Sequence, residues 1–250
     1  MSDPLRIALV AEGPTDRIVV DAAVKAILGD RPYILRLLQP EDSLPFDAPA
    51  PFTGKGKGWG GIYLWCQETR QRSGGRLRDD LLFLAYDLLF LAYDLLIIHL
   101  DADVASRKYS DYELTDDSDD LPCELPCPPP HATTERLRQV LLRWIGALET
   151  PPRTVLCTPS KSTEAWVVAA LFPDDKVMIR KGWECHPNPE SRLAVQPKAM
   201  RIKKTELAYR YWQPLLSAEW PRISAGLTEA MRFSDAILKA VEDHDKASAS

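Results

Sequence analysis

Two aspartates one residue apart, Asp101 and Asp103 in "LIIHLDADV", follow an apolar run that reads as a buried strand. On an extended backbone such residues project to the same side. Two ionised carboxylates held together repel each other, and a divalent cation relieves that cost. Hard oxygen ligands suit Mg2+ or Mn2+. A second pair of acids closes an earlier apolar run: "LVAEGPTDRIVV" sets Glu12 before a Gly-Pro turn and Asp16 after it. If that turn leads straight into a helix, both face one crevice. A third group, "SKSTEAW", places Ser162 and Glu164 at the start of a helix, with Lys161 adjacent. An acid in a first helical turn is favourable to the helix dipole on its own account, and a lone Asp-x-Asp is more often a polar strand end. Neither explains three acid groups at three successive strand ends, so they are read jointly as a metal site. Two metals about 4 Å apart activate a water and stabilise the leaving oxygen of a phosphodiester, and a nearby Lys offsets charge developing on the phosphate.

The elements that must position these groups follow from the patterning. "LRIALVAE", "YILRLLQP", "LLIIHLDAD" and "RTVLCTP" read as strands, short, apolar and bounded by turn residues. "DRIVVDAAVKAIL" reads as a helix stopping at Gly29. The Gly-rich "FTGKGKGWGG" precedes a helix of roughly 62–71, "ATTERLRQVLLRWIGALE" is amphipathic with Thr133 or Thr134 near its start, and "STEAWVVAALF" is a helix with Ser162 at its cap. Strands alternating with helices predict an α/β fold, a mainly parallel four-stranded sheet flanked by helices. Ligands of such sheets bind at the carboxyl ends of the strands. Glu12, Asp101 and residues 160–164 all fall there. After Pro173 the pattern is mainly helical and basic, so the expected division is a metal-binding domain over 1–172 and a helical extension over 173–250. "LLFLAYD" occurs twice in tandem, Leu81–Asp87 and Leu88–Asp94, before the degenerate "LLIIHLD". Seven residues is two helical turns, so the duplication reads as lengthening a helix over 77–94.

"VAEGPTD", followed far downstream by "HLDADV", resembles the Toprim domain of topoisomerases, primases and nucleases, in which one strand ends in Glu-Gly and a later one in Asp-x-Asp. Asp16 and the Ser162–Glu164 pair look more like the nuclease branch, the overcoming-lysogenisation-defect type. The resemblance covers roughly residues 5–172 and implies a Rossmann-like Toprim fold. It also implies two metal sites, one held by Glu12 and Asp16, the other by Asp101, Asp103, Ser162 and Glu164. That branch uses a downstream Lys, and Lys203 and Lys204 in "RIKKTELAYR" both match. The implied catalytic set is Glu12, Asp101, Asp103 and one of these lysines. The implied activity is Mg2+- or Mn2+-dependent hydrolysis of nucleic acid, DNA before RNA, in a bacterial accessory or phage-defence role. Phosphoryl or nucleotidyl transfer, strand passage, and a non-catalytic nucleic-acid-binding subunit are the alternatives. A third Asp found in many topoisomerase-type members is Ala105 here. No Gly-x-x-x-x-Gly-Lys-Ser/Thr motif is present, so an ATPase, if needed, is a separate chain; a homodimer is also allowed.

Composition is that of an ordinary globular protein: 250 residues, 45% hydrophobic and 27% charged, with a net charge of −5. That excludes a surface basic all over, but the distribution is uneven. Residues 111–124 carry seven acids and no base, whereas residues 176–210 carry nine Lys or Arg against three acids. The basic stretch, with Tyr209, Tyr211 and Trp212 interleaved, offers phosphate and base contacts; helix core packing is the preferred reading of the aromatics. The acidic, Pro-rich insert over 106–130 reads as a long excursion or disordered loop. No run is apolar and long enough to span a bilayer and no signal-peptide pattern opens the chain, so a cytoplasmic location is expected. Five cysteines in a long chain argue against a disulfide framework. Cys123, Cys127 and His131, with Cys185 and His186 downstream, fit no familiar zinc module, and reduced cysteines in a Pro-rich loop are expected. His99 lies within a strand and reads as a core residue rather than a ligand.

Overall fold

The computed structural model describes residues 3–40, 58–72, 93–112, 114 and 121–248. Four strands, β1 (Leu5–Val10), β2 (Tyr33–Gln39), β3 (Leu95–His99) and β4 (Thr154–Cys157), form an all-parallel sheet in the order β2-β1-β3-β4. The expected α/β architecture is therefore present. Parallel pairing requires crossovers, and helices supply them: α1 (Pro14–Leu28), α2 (Trp59–Arg72), α3 (His131–Ile145) and α4 (Glu164–Leu171). The chain ends in α5 (Lys176–Lys181), α6 (Glu190–Ala194), α7 (Glu206–Gly226) and α8 (Thr228–Ser248).

Strand alternation divides the core into two layers. Leu5, Ile7 and Leu9 of β1, with Leu95 and Ile97 of β3, join one cluster with α1, α4, α7 and α8. Ala8 and Val10, with Leu96 and Ile98, join the other with α2 and α3. Both faces are covered, which is why the strands read as unbroken apolar runs. The helical C-terminal region packs on the α1 side, where Leu216, Trp220, Ile223, Phe233 and Ile237 are all buried.

Local chemistry sets the boundaries that matter for the site. Pro14 in the first turn of α1 starts the helix directly after Gly13, whose backbone is extended; proline is preorganised for that position. The second helix begins at Trp59, three residues before its expected start, so Gly60 lies in its first turn. A Cβ there would come within 2.5 Å of the Tyr112 ring. The glycine is needed for that close approach. The duplicated heptads fall outside the described residues up to Ala92. Tyr93 and Asp94 are not helical, contrary to the expected helix over 77–94. The Asp94 carboxylate instead accepts from the Arg6 backbone N–H at 2.8 Å and pairs with its guanidinium at 3.1 Å, tying the entry of β3 to β1.

The insert after β3 is anchored where it is described. Tyr109, in a 3-10 turn over Tyr109–Tyr112, is buried among Trp59, Tyr63 and Trp144. Leu121 is buried too. The cysteine expectation is corrected: Cys127 and Cys185 form a disulfide, while Cys66, Cys123 and Cys157 are thiols outside any disulfide. With their sulfurs joined, those two cannot act as thiolate zinc ligands. Sequence spacing hid the pair, because 58 residues separate its members and folding alone brings them together. Alkylating the unfolded, unreduced protein should label three of the five cysteines, and reduction should lower unfolding stability by about 2–4 kcal/mol. Five labelled thiols without reductant would contradict the pairing. Among the described residues no helix is long and apolar enough to cross a membrane.

Candidate metal centre and its cleft

The carboxyl ends of β1, β3 and β4 carry the three acid groups to one place. After β1 the chain turns through Glu12 and Gly13 into α1, and Asp16 in its first turn is buried. The Glu12 carboxylate reaches across to β3, where Oε1 accepts from the Asp101 backbone N–H at 2.8 Å. Beyond β4 the backbone stays laced to the exit of β3: Leu100 N–H donates to Cys157 O, Ala102 N–H to Pro159 O and Asp103 N–H to Lys161 O. Lys161 holds a left-handed φ of 69°, rare for a non-glycine residue and typical of constrained functional segments.

Thr163 links the groups. Its side-chain hydroxyl donates to Asp16 Oδ1 at 2.8 Å and its backbone N–H donates to Asp101 Oδ1 at 3.2 Å. Thr163, not Ser162, occupies the cap position of α4, and its side chain makes no cap bond because the Asp16 contact uses it. Ser162 hydrogen-bonds the Glu164 carboxylate instead.

Asp101 and Asp103 do not share a strand face as their spacing implied. Strand β3 ends at His99, and Ala102–Val104 forms a 3-10 turn. Asp101 is therefore buried, whereas Asp103 is exposed and lines a cleft. His99 lies in the core, as its place within a strand leads one to expect. It is fully buried, yet one oxygen or nitrogen from each of Asp16, His99 and Asp101 lies within 4.8 Å of the others. Positions 95, 97 and 99 alternate toward the α1 side, which brings the ring against Asp16. That i, i+2 relation of His99 to Asp101 was the available signal.

Glu164 is buried under the tail. Its Oε1 accepts from Tyr209 Oη at 2.8 Å and pairs with Lys204 Nζ at 3.0 Å. Of the two candidate lysines, Lys204 reaches the acids; Lys203 is exposed, and no ion pair of Lys203 with them occurs among the described residues. Tyr209 is a core residue with a polar tip on the site, and Tyr211 is exposed. Arg107, Lys161 and Lys204 line a cleft of about 310 Å³ together with Asp103, Glu124 and Glu164. Glu124, from the insert, pairs with Lys161. No local signal marks Thr163 or Glu124, and none foretells the Tyr209–Glu164 contact, since each acts over a long range.

Electrostatics separate the acids into two kinds. Burial, and then the Asp101 charge, pushes the Glu12 carboxyl well above its usual range. Burial, reinforced by Asp16 and Glu164, does the same to Asp101, and burial also raises Asp16. Burial opposes ionisation of Glu164 too, but the Lys204 ammonium and the hydrogen bonds from Ser162, Lys204 and Tyr209 outweigh it and hold the carboxyl below its usual value. Glu164 therefore already has its counter-charge, whereas Glu12, Asp16 and Asp101 gain from an added cation. A cation fits this donor set: Asp16, His99 and Asp101 each bring one ligand atom within 4.8 Å of the others, and Glu164 Oε2 and the His99 nitrogens are buried without hydrogen bonds among the described residues, although Nε2 lies 3.1 Å from Asp101 Oδ1. Neither the sequence nor the structure matches any protein family, curated protein or solved structure with which it was compared.

Proposed function

We propose that the chain is a Toprim-type, Mg2+- or Mn2+-dependent nuclease that hydrolyses phosphodiester bonds of nucleic acid. The observation that carries this reading is the convergence of Glu12, Asp16, Asp101 and Glu164 beside a cleft lined by Arg107, Lys161 and Lys204. Asp16 and Asp101 would hold the cation, with Glu12, Asp103 and Glu164 around them. When bound, it supplies an activated water and offsets charge on the leaving oxygen.

The chain's own groups do the rest. Arg107, Lys161 and Lys204 hold a backbone phosphate at the cleft, and the Lys204 ammonium offsets charge growing on the phosphoryl oxygens. Thr163 fixes the orientation of Asp16 and Asp101, and Tyr209 fixes that of Glu164. The Glu124–Lys161 pair opens as a phosphate takes the Lys161 ammonium, an exchange of one anion for another at the same nitrogen. DNA is the favoured substrate; a separate ATPase chain and a second copy of this chain are compatible partners.

Incubating linear and circular DNA, and RNA, with MnCl2 or MgCl2 tests this. Metal-dependent cutting that stops on chelation is expected. Nucleotide incorporation without cutting would favour phosphoryl or nucleotidyl transfer, and tight binding with neither would leave a binding subunit.

A further inference from the structure

None of the steps above uses His99, and its surroundings do not explain it as packing. The residue sits at the last position of β3, continuing the row of Leu95 and Ile97 that faces the α1 layer. An aliphatic side chain would fill that row without polar atoms. The imidazole instead is completely buried, and neither Nδ1 nor Nε2 finds a hydrogen-bond partner among the described residues. Buried polar atoms are nearly always paired, and each exception calls for an explanation such as an ion. Nε2 lies 3.1 Å from Asp101 Oδ1 without making a hydrogen bond to it, and a His99 nitrogen lies with an oxygen each of Asp16 and Asp101 inside the 4.8 Å cluster. A ring nitrogen and two carboxylate oxygens meet there.

We infer that His99 is a nitrogen ligand of the cation held by Asp16 and Asp101, and that it sets the identity of that cation. The inference rests on the acid cluster being a divalent-cation site. Mg2+ and Ca2+ take oxygen ligands almost exclusively, whereas imidazole suits first-row transition metals, whose affinity for such sites rises from Mn2+ to Cu2+ and is lower again at Zn2+. A cluster of two carboxylates and one imidazole therefore prefers Mn2+, Co2+ or Zn2+ to Mg2+. Carboxylates alone carry charge without that preference.

Mn2+ itself is the probe. The full chain bound to Mn2+ should show electron spin-echo modulation from a directly bonded 14N nucleus, converting to the 15N pattern when histidine is 15N-labelled. Competition calorimetry should give Mn2+ at least about tenfold preference over Mg2+. His99→Gln should lose the nitrogen modulation and most of the preference while still binding Mg2+. Mn2+ bound with no nitrogen modulation in the unmutated chain would overturn the inference and leave the acid site standing, and that measurement does not depend on whether His99→Gln folds. Retention of the modulation in His99→Gln would overturn it as well. Failure of the unmutated chain to bind either metal would overturn both this inference and the nuclease reading.

Discussion

Asp101→Asn should lower metal-dependent cleavage by roughly 10³-fold or more, while making the metal-free protein more stable at neutral pH. The two effects have one cause. Asp101 is buried between the carboxylates of Glu12, Asp16 and Glu164, and its ionised form is disfavoured in the folded chain. Its carboxyl is thus raised above the unfolded value of about 3.9. A raised group contributes stability that is complete below the unfolded value and is lost as pH rises through the folded one. At neutral pH the unmutated, metal-free chain bears the cost of keeping that carboxyl buried among other acids, and Asn does not carry it. The amide oxygen can still accept from the Thr163 N–H, so the loop keeps its anchor. Thermal unfolding in chelator should show the unmutated chain losing stability from about pH 4 upward, with a shallower loss in the variant. Saturating metal should reverse the order of stability. Glu12→Gln, which keeps an acceptor for the Asp101 N–H, should behave alike. Cleavage within tenfold of the unmutated chain would remove Asp101 from the site.

Lys204→Ala and Lys203→Ala should differ sharply although the two residues are neighbours. Lys204 reaches Glu164 Oε1 at 3.0 Å from the cleft wall, and its loss should reduce kcat by about 10²–10³-fold, the scale of removing one preorganised charge-stabilising group. Lys203 is exposed and unpaired with the acids, and its loss should leave kcat within about threefold, as for an exposed charge. Lys204 also helps hold the Glu164 carboxyl below its usual range. Without it that carboxyl rises, so the acid limb of the pH–rate profile should move to higher pH in Lys204→Ala only. The stability cost should be small, about 1 kcal/mol or less, because the side chain is 40% exposed and solvent screens the pair. Equal losses in the two variants would assign the effect to general electrostatics of the basic stretch.

Much of the site was legible because its acids stand where local patterns are strong. Glu12 ends an apolar strand at a Gly-Pro turn, and Pro14 forces a helix to begin at once, so Asp16 returns over the strand end. Glu164 opens a helix whose first turn follows β4 closely. Spacing misled where the backbone changed type. The Asp-x-Asp spacing implies an extended backbone, but β3 stops at His99 and a 3-10 turn separates a buried Asp101 from an exposed Asp103. The insert's composition reads as a long excursion or disordered loop, yet Tyr109, Leu121, Glu124 and Cys127 each tie it down where it is described.

The sequence by itself determined the parallel α/β sheet and the three acid groups at its strand ends, because hydrophobic period and turn chemistry are properties of neighbours along the chain; the two lysines are candidates only through the Toprim resemblance. Only the tertiary structure decided that Lys204 rather than Lys203 meets Glu164, that Tyr209 turns its hydroxyl onto the same carboxylate, that Thr163 bridges Asp16 to Asp101, and that His99 faces them with neither nitrogen hydrogen-bonded among the described residues and Nε2 3.1 Å from Asp101 Oδ1. Each of these depends on residues far apart in sequence meeting across the sheet edge. The hydrogen bond from Thr163 to Asp16 spans 147 positions. No local pattern encodes such a meeting; it is fixed by how the helices pack over the carboxyl ends of the strands.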